Sequence, residues 1–160
     1  MELTDKQRDF LIGVHFAVVA TIASDGLPHQ TVMWYALEGD QLLLSTPRDS
    51  LKHRHLKRDP RLSVCVEKGY TYVTLTGSIT LDEDPATARA DYQRLQKRYQ
   101  STLTRLIVGF VLRSVVSRIK SQFSPTSARP ADGSRAQELL SRERVTLHVK
   151  IEKTQSSGLE

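Results

Sequence analysis

The chain reads as mainly β, a small barrel decorated with helices, and three observations predict that class. Short runs rich in β-branched residues recur between tight turn signals. One run, "YTYVTLTGSITL", alternates cleanly: Val73, Leu75, Gly77, Ile79 and Leu81 share one face, and Tyr72, Thr74, Thr76, Ser78 and Thr80 share the other. Helical signals are few and fall before, between and after these runs, so helices decorate a sheet and do not alternate with parallel strands.

Taken in order, Thr4 with Gln7 forms a capping-box pattern, and a short helix runs from there to about Gly13. "FAVVATIA" (Phe16–Ala23) reads as a strand that stops at the turn signal Ser24–Asp25–Gly26. "HQTVMWYAL" (His29–Leu37) and "QLLLST" (Gln41–Thr46) follow, and the three strands predict an antiparallel meander. Ser50 caps a helix over Ser50–Arg58, which Asp59–Pro60 ends. Strands resume with "RLSVCVE" and the alternating run around Gly77. Asp84–Pro85 then opens a helix with the apolar stripe Ala88, Tyr92, Leu95 and Tyr99. A helix over Leu103–Phe123, a loop over Ser124–Ser134 and a short helix over Arg135–Arg142 form an insertion before the last strand, "RVTLHVKIE".

With 160 residues the chain is expected to form a single domain over 1–156, with the helical insertion at about 100–142 and a tail at 157–160. The hydrophobic share of 39% and charged share of 26% suit a globular protein able to bury a core. Its longest apolar run, "LIVGFVL" (Leu106–Leu112), is too short to span a bilayer, and no secretory leader is visible after Met1. Cys65 stands alone, which excludes an internal disulfide and fits a reducing cytoplasm. The net charge of +5 points to an anionic partner.

Positive charge is densest in "SLKHRHLKRDPR", residues 50–61. On a helical wheel with Leu51 at zero, His55 falls near ~40°, Lys52 near ~100° and Leu56 near ~140°. That reading makes the two leucines the buried side, puts Lys52 and His55 between them, and turns His53, Arg54, Lys57 and Arg58 to water. Lys57 and Arg58 lie at the helix C-terminus, where the dipole favours cations. Lys52 lies in the first turn, where the dipole opposes it, and an inward lysine there asks for an anion. Free N–H groups and the Ser50 hydroxyl at the same helix start suit a phosphate. The alternative is a lysine whose ammonium reaches water past the leucines. For nucleic acid the segment lacks interleaved aromatics and helix-turn-helix spacing.

An ordered set of motifs covers Phe16 to about Asp82: A-T-x-x-x-D-G-x-P (Ala20, Thr21, Asp25, Gly26, Pro28), the strand ending in Trp34–Tyr35, K-x-x-x-L-x-R-D-P-R (Lys52, Leu56, Arg58, Asp59, Pro60, Arg61), and T-x-x-G-x-x-x-L around Gly77. This set resembles the flavin- and deazaflavin-dependent oxidoreductases of the split β-barrel fold, which include the pyridoxamine phosphate oxidase-like, FMN-binding proteins. The resemblance implies a homodimer with a cofactor groove between subunits. It implies a cofactor phosphate on Lys52 with Ser45, Thr46, Arg48 and Ser50, and a second strand, Gln30, Thr31, Val32, Met33 and Trp34, along the cofactor ring. The sequence looks most like the branch that uses the deazaflavin F420, whose oligoglutamate tail would meet Arg48, Arg54 and Arg58; FMN is the alternative cofactor. The expected activity is hydride transfer from reduced F420 to an electron-poor organic substrate. The other readings are an FMN-dependent oxidoreductase and a non-catalytic flavin- or deazaflavin-binding protein. The chain ends "RVTLHVKIEKTQSSG", without the basic–aromatic substrate segment of true pyridoxamine phosphate oxidases.

No acidic pair, nucleophilic triad or metal-ligand spacing emerges; His53 and His55, two apart on a helix, point different ways. Tyr35 and Tyr72 are candidate hydrogen-bond donors to substrate, and equally amphipathic tyrosines at the core edge. His29 is either at the ring edge or an ordinary turn residue. The Leu103–Phe123 helix mixes apolar and basic residues, which fits dimer packing or a pocket cover, with membrane-surface contact as the alternative.

Overall fold

The computed structural model describes residues 2–100 and 142–159. In chain order they form helix α1 (Asp5–Ile12), strands β1 (Ala17–Ile22), β2 (Pro28–Met33), β3 (Tyr35–Glu38) and β4 (Gln41–Pro47), helix α2 (Leu51–Arg58), and strands β5 (Arg61–Lys68) and β6 (Thr71–Asp82). A third helix, α3, covers 85–100, and β7 (Arg144–Ser157) follows the undescribed stretch. The expected helices over Leu103–Phe123 and from Arg135, with the loop between them, fall outside the described residues. Among the described residues no helix is long and apolar enough to cross a membrane.

All seven strands join one sheet in the order β2-β1-β5-β6-β7-β4-β3, and every neighbouring pair is antiparallel. The two edge strands are separated in sequence by Trp34 alone. Successive Cα atoms are about 3.8 Å apart, so Met33 and Tyr35 lie within about 7 Å of one another. A seven-stranded sheet whose opposite edges come that close must curl on itself, which makes this a split β-barrel.

That closure corrects the expected meander. The run His29–Leu37 is two strands, and its halves pair at opposite edges: β2 with β1, β3 with β4. Side-chain alternation continues through the junction, with Met33 and Tyr35 buried and Trp34 half-exposed, so periodicity alone sees one strand. What changes at Trp34 is the hydrogen-bonding partner, and alternation does not report partners.

The core lies inside the curl, from Ala17 and Val19 of β1, Leu42 and Leu44 of β4, Val64 and Val66 of β5, Val73 and Leu75 of β6, and Val145, Leu147 and Val149 of β7. β6 meets β7 through a register shift at Thr76/Gly77. A Cβ on Gly77 would come within 2.0 Å of the Lys150 carbonyl oxygen, so the bulge needs glycine there. The capping box of α1 forms as read: Thr4 accepts from Gln7 N–H and Gln7 from Thr4 N–H. Asp84 caps α3 through Thr87 N–H at 2.8 Å. α3 is then tied to β7 by a hydrogen bond from Thr146 Oγ1 to the buried Asp91 carboxylate, 2.8 Å long.

The wheel reading of α2 needs one correction. Leu51 is 50% exposed, whereas His53, expected to face water, is buried with His55 and Leu56. The buried arc is centred between Lys52 and Leu56 and ends at His53. Polar partners elsewhere in the chain explain the shift: His53 Nδ1 lies 2.6 Å from the Arg48 carbonyl and Nε2 lies 3.1 Å from Glu83. A histidine satisfied at both nitrogens tolerates burial that a wheel based on hydropathy denies it.

Candidate functional site

β4 ends at Pro47, and its last residues, Ser45 and Thr46, are buried where α2 begins. Ser50 caps α2 by accepting from His53 N–H, and its hydroxyl also meets Thr46 Oγ1 at 2.9 Å. This sets Thr46, Ser50 and the first turn of α2 side by side. The amides of Leu51 and Lys52 have no carbonyl behind them in the helix.

Lys52 is half-buried beside this corner. Burial, and then the charge of Arg144, hold its ammonium below the usual lysine range. Arg144, at the start of β7, is likewise half-buried, and burial works against its charge. Its Nε donates to Ser45 Oγ at 3.0 Å, and its guanidinium carbon lies 3.9 Å from the centre of the Tyr92 ring. Among the described residues neither cation is paired with a carboxylate.

Lys52, Arg144, Ser45 and Thr46 form the polar end of a pocket of about 340 Å3. Its remaining wall is apolar and aromatic: Phe16, Val32, Met33, Trp34, Pro47, Tyr92 and Leu95. Trp34 stacks between two tyrosines of α3, 5.1 Å from Tyr99 and 6.2 Å from Tyr92, within about 15° of parallel. Tyr99 in turn accepts from Tyr35 N–H and donates to the His15 carbonyl, which fixes the seam between the two edge strands. The volume and the mixture of apolar wall with a few convergent polar groups suit a small-molecule site.

The pocket thus gathers Ser45, Thr46, Lys52, Val32, Met33 and Trp34 of the residues the sequence singled out. Ser50 stands behind Thr46 as cap and hydrogen-bond partner. Gln30 and Thr31 lie on the same strand but not among the lining residues. The Thr31 hydroxyl is buried without a partner, and β2, an edge strand, pairs only with β1, so it has backbone groups to offer a ligand. Arg48 pairs with Glu83 and Glu143, Arg58 donates to the Ile22 carbonyl, and Arg54 is exposed; none of the three lines the pocket. Tyr35 is wholly buried, its phenol pushed far up by burial and held near the Gly13 carbonyl, so it faces core rather than pocket. Tyr72 sits on β6, away from the lining residues.

Sequence reasoning missed Arg144, Tyr92 and Phe16 as lining residues. Arg144 is placed by the pairing of β7 with β4, which sets it opposite Pro47 and beside Ser45. His55 was expected to turn inward with Lys52, and it does, but toward β1: its Nδ1 lies 3.1 Å from Thr21 Oγ1 and its ring meets His29 edge-on at 5.3 Å. Burial, then His29, Arg58 and Arg54, hold His55 below the usual histidine range, against Asp25. No cluster of three or more metal-ligating side chains forms among the described residues.

A sequence profile described as pyridoxamine 5'-phosphate oxidase matches residues 3–156. Among solved structures, an F420 reductase is 22% identical, with 92% of this chain matching 94% of that one at a TM-score of 0.62. A conserved hypothetical protein of Mycobacterium tuberculosis is also 22% identical, over 100% of this chain and 87% of the other, at a TM-score of 0.67. A candidate pyridoxamine 5'-phosphate oxidase of Listeria innocua is 16% identical over 97% and 98% of the two chains, at a TM-score of 0.56. At these identities the structural likenesses speak for the fold alone.

Proposed function

The chain belongs to the pyridoxamine 5'-phosphate oxidase family, and from that premise we propose a flavin-type oxidoreductase that binds its phosphate-bearing cofactor in the pocket between β2, β4, α2 and α3. The observation that carries this reading is Lys52. It is a half-buried cation without a carboxylate partner among the described residues, set beside two hydroxyls at the only polar end of an aromatic pocket. A buried charge is costly unless compensated, and a phosphate is the compensation that a helix start, a lysine and hydroxyls jointly suit.

The residues present fit such a cofactor. Lys52, Ser45 and Thr46 would hold its phosphate, with Ser50 orienting Thr46. Val32, Met33 and Trp34 would border its ring, with the free edge of β2 and the unpartnered Thr31 hydroxyl offering hydrogen bonds. When bound, the ring supplies hydride transfer to or from an electron-poor organic substrate, and the protein supplies orientation and a dry wall.

Two forms of the cofactor are proposed. F420 is favoured by the K-x-x-x-L-x-R-D-P-R segment, with exposed Arg54 available to its tail carboxylates. FMN is favoured by the prior engagement of Arg48 and Arg58, which leaves fewer cations for a polyanionic tail. Trp34 is the sole tryptophan and lines the pocket, so its fluorescence reports occupancy. Titration with F420 and with FMN is expected to quench it for one of the two at micromolar or tighter affinity. If neither binds below about millimolar, the cofactor reading fails. A non-catalytic binding protein would show the quench without turnover of the bound, reduced cofactor.

We also propose that the working unit is a homodimer. Phe16, Val18 and Val32 are 51%, 37% and 65% exposed, and Val18 and Val32 are directly paired across β1 and β2. Phe16 and Val32 also border the pocket, so a second copy seated there would narrow its mouth. Light scattering is expected to give twice the chain mass, and Val32→Lys to give the monomer.

A further inference from the structure

Arg144 has no part in the phosphate seat described above, yet it is the second half-buried cation of the same pocket. Three facts define its situation. Its Nε and one terminal nitrogen are both turned to Ser45, at 3.0 Å to Oγ and 3.4 Å to the carbonyl. Its guanidinium is stacked on Tyr92. Nearly every other arginine with a described ion pair, namely Arg8, Arg48, Arg61, Arg94 and Arg142, meets a carboxylate, whereas Arg144 meets none among the described residues.

A guanidinium has five N–H donors. Ser45 occupies the Nε donor and one donor of a terminal nitrogen, which leaves three in a plane fixed by the Tyr92 stack. Lys52 borders the same pocket, and the two cations repel one another. Two like charges brought together in a partly dry site raise the free energy of the empty pocket, and one negative charge would neutralise only half of that.

We propose that Arg144 is a second anion-binding residue of the pocket, and that with Lys52 it selects a ligand end carrying two negative charges over one carrying a single charge. The proposal rests on the cofactor reading above and deepens it. The chemistry is a dianionic end: both charges on one phosphate monoester, as in FMN, or a phosphate followed by a carboxylate, as in F420. Riboflavin has the FMN ring and no phosphate, so it separates ring binding from charge binding.

The test is the Trp34 quench with FMN, F420 and riboflavin in the wild type, Arg144→Gln and Arg144→Lys. The expected result is a loss of at least about tenfold in affinity for FMN or F420 in Arg144→Gln, whichever the wild type binds. Riboflavin affinity stays unchanged, and Arg144→Lys recovers part of the loss. The identity of the affected ligand then says whether the second charge comes from the monoester or from the tail carboxylate. An equal loss for riboflavin overturns the proposal, because Arg144 would then act through the shape of the pocket; so does no loss for any ligand. A second measurement stands apart from the cofactor. Inorganic phosphate is expected to raise the thermal midpoint of the wild type more than that of Arg144→Gln or Lys52→Gln at matched ionic strength. If the cofactors fail to bind but this difference appears, the cofactor reading falls and the cation pair stands. If phosphate protects all three proteins alike, the pair is not an anion seat.

Discussion

The two faces of α2 carry similar charge and opposite circumstances. On the outer side, Lys57 reaches Glu83 at 2.9 Å and Arg58 caps the Ile22 carbonyl. Both also lie at the helix end that favours cations. On the inner side Lys52 stands at the unfavourable end, half-buried, with another cation for company. Local helix physics and nearby carboxylates account for the outer charges, whereas the inner one is left without a structural reason. Charge density alone did not mark the site; unrelieved charge does.

The strongest way to break the contrast is Lys52→Ala against Arg54→Ala. Loss of a charge-assisted contact is worth about 1.5–3 kcal/mol, so cofactor affinity is expected to fall by about 10- to 100-fold in the first. The second should stay within about twofold for FMN, by fluorescence titration. Equal losses would erase the distinction between the faces. Next in size, Ser50→Ala removes the cap and the Thr46 contact, and should lower unfolding free energy by about 1 kcal/mol in denaturant titration.

A pH scan sharpens the inner face further. His55 has its folded-state pKa below the ordinary 6.5, so the unfolded chain binds a proton first as pH falls. Its contribution is intact above 6.5 and is lost as pH drops from there through the lowered value. His55→Gln is expected to flatten that part of the acid limb in thermal melts, and an unchanged limb would refute the burial argument. The smallest effect belongs to Glu83→Gln, which weakens partly exposed pairs with Lys57 and Arg48. It should cost under about 1 kcal/mol, shrink with added salt, and leave cofactor affinity alone.

Local elements were legible in the sequence because their causes are local. The Thr4–Gln7 box, the Ser50 cap, the Asp84–Pro85 start and the alternation of β6 each rest on neighbours a few residues apart. The "RDPR" motif is of this kind too: Arg61 holds Asp59 through side chain and backbone, and the Asp59 carboxyl is pulled down to about 2. Legibility failed where the cause was distant. His53 is buried because Glu83 arrives from the end of β6, and Arg144 reaches Ser45 only because β7 lies beside β4. The split at Trp34 is of the same type, since only the whole sheet order shows that Met33 and Tyr35 belong to opposite edges. Lys52 was found in advance because its argument needed only the wheel and the dipole.

The seam at Trp34 has a consequence for how the molecule breathes. Whatever sits against Val32, Met33 and Trp34 leans on the single residue that joins both margins of the sheet. Opening of the margins and emptying of the pocket are then one event. Amide protons of β2 and β3, far apart in the ladder, should exchange with solvent at rates that slow together when ligand is added, while those of central β6 stay as they were.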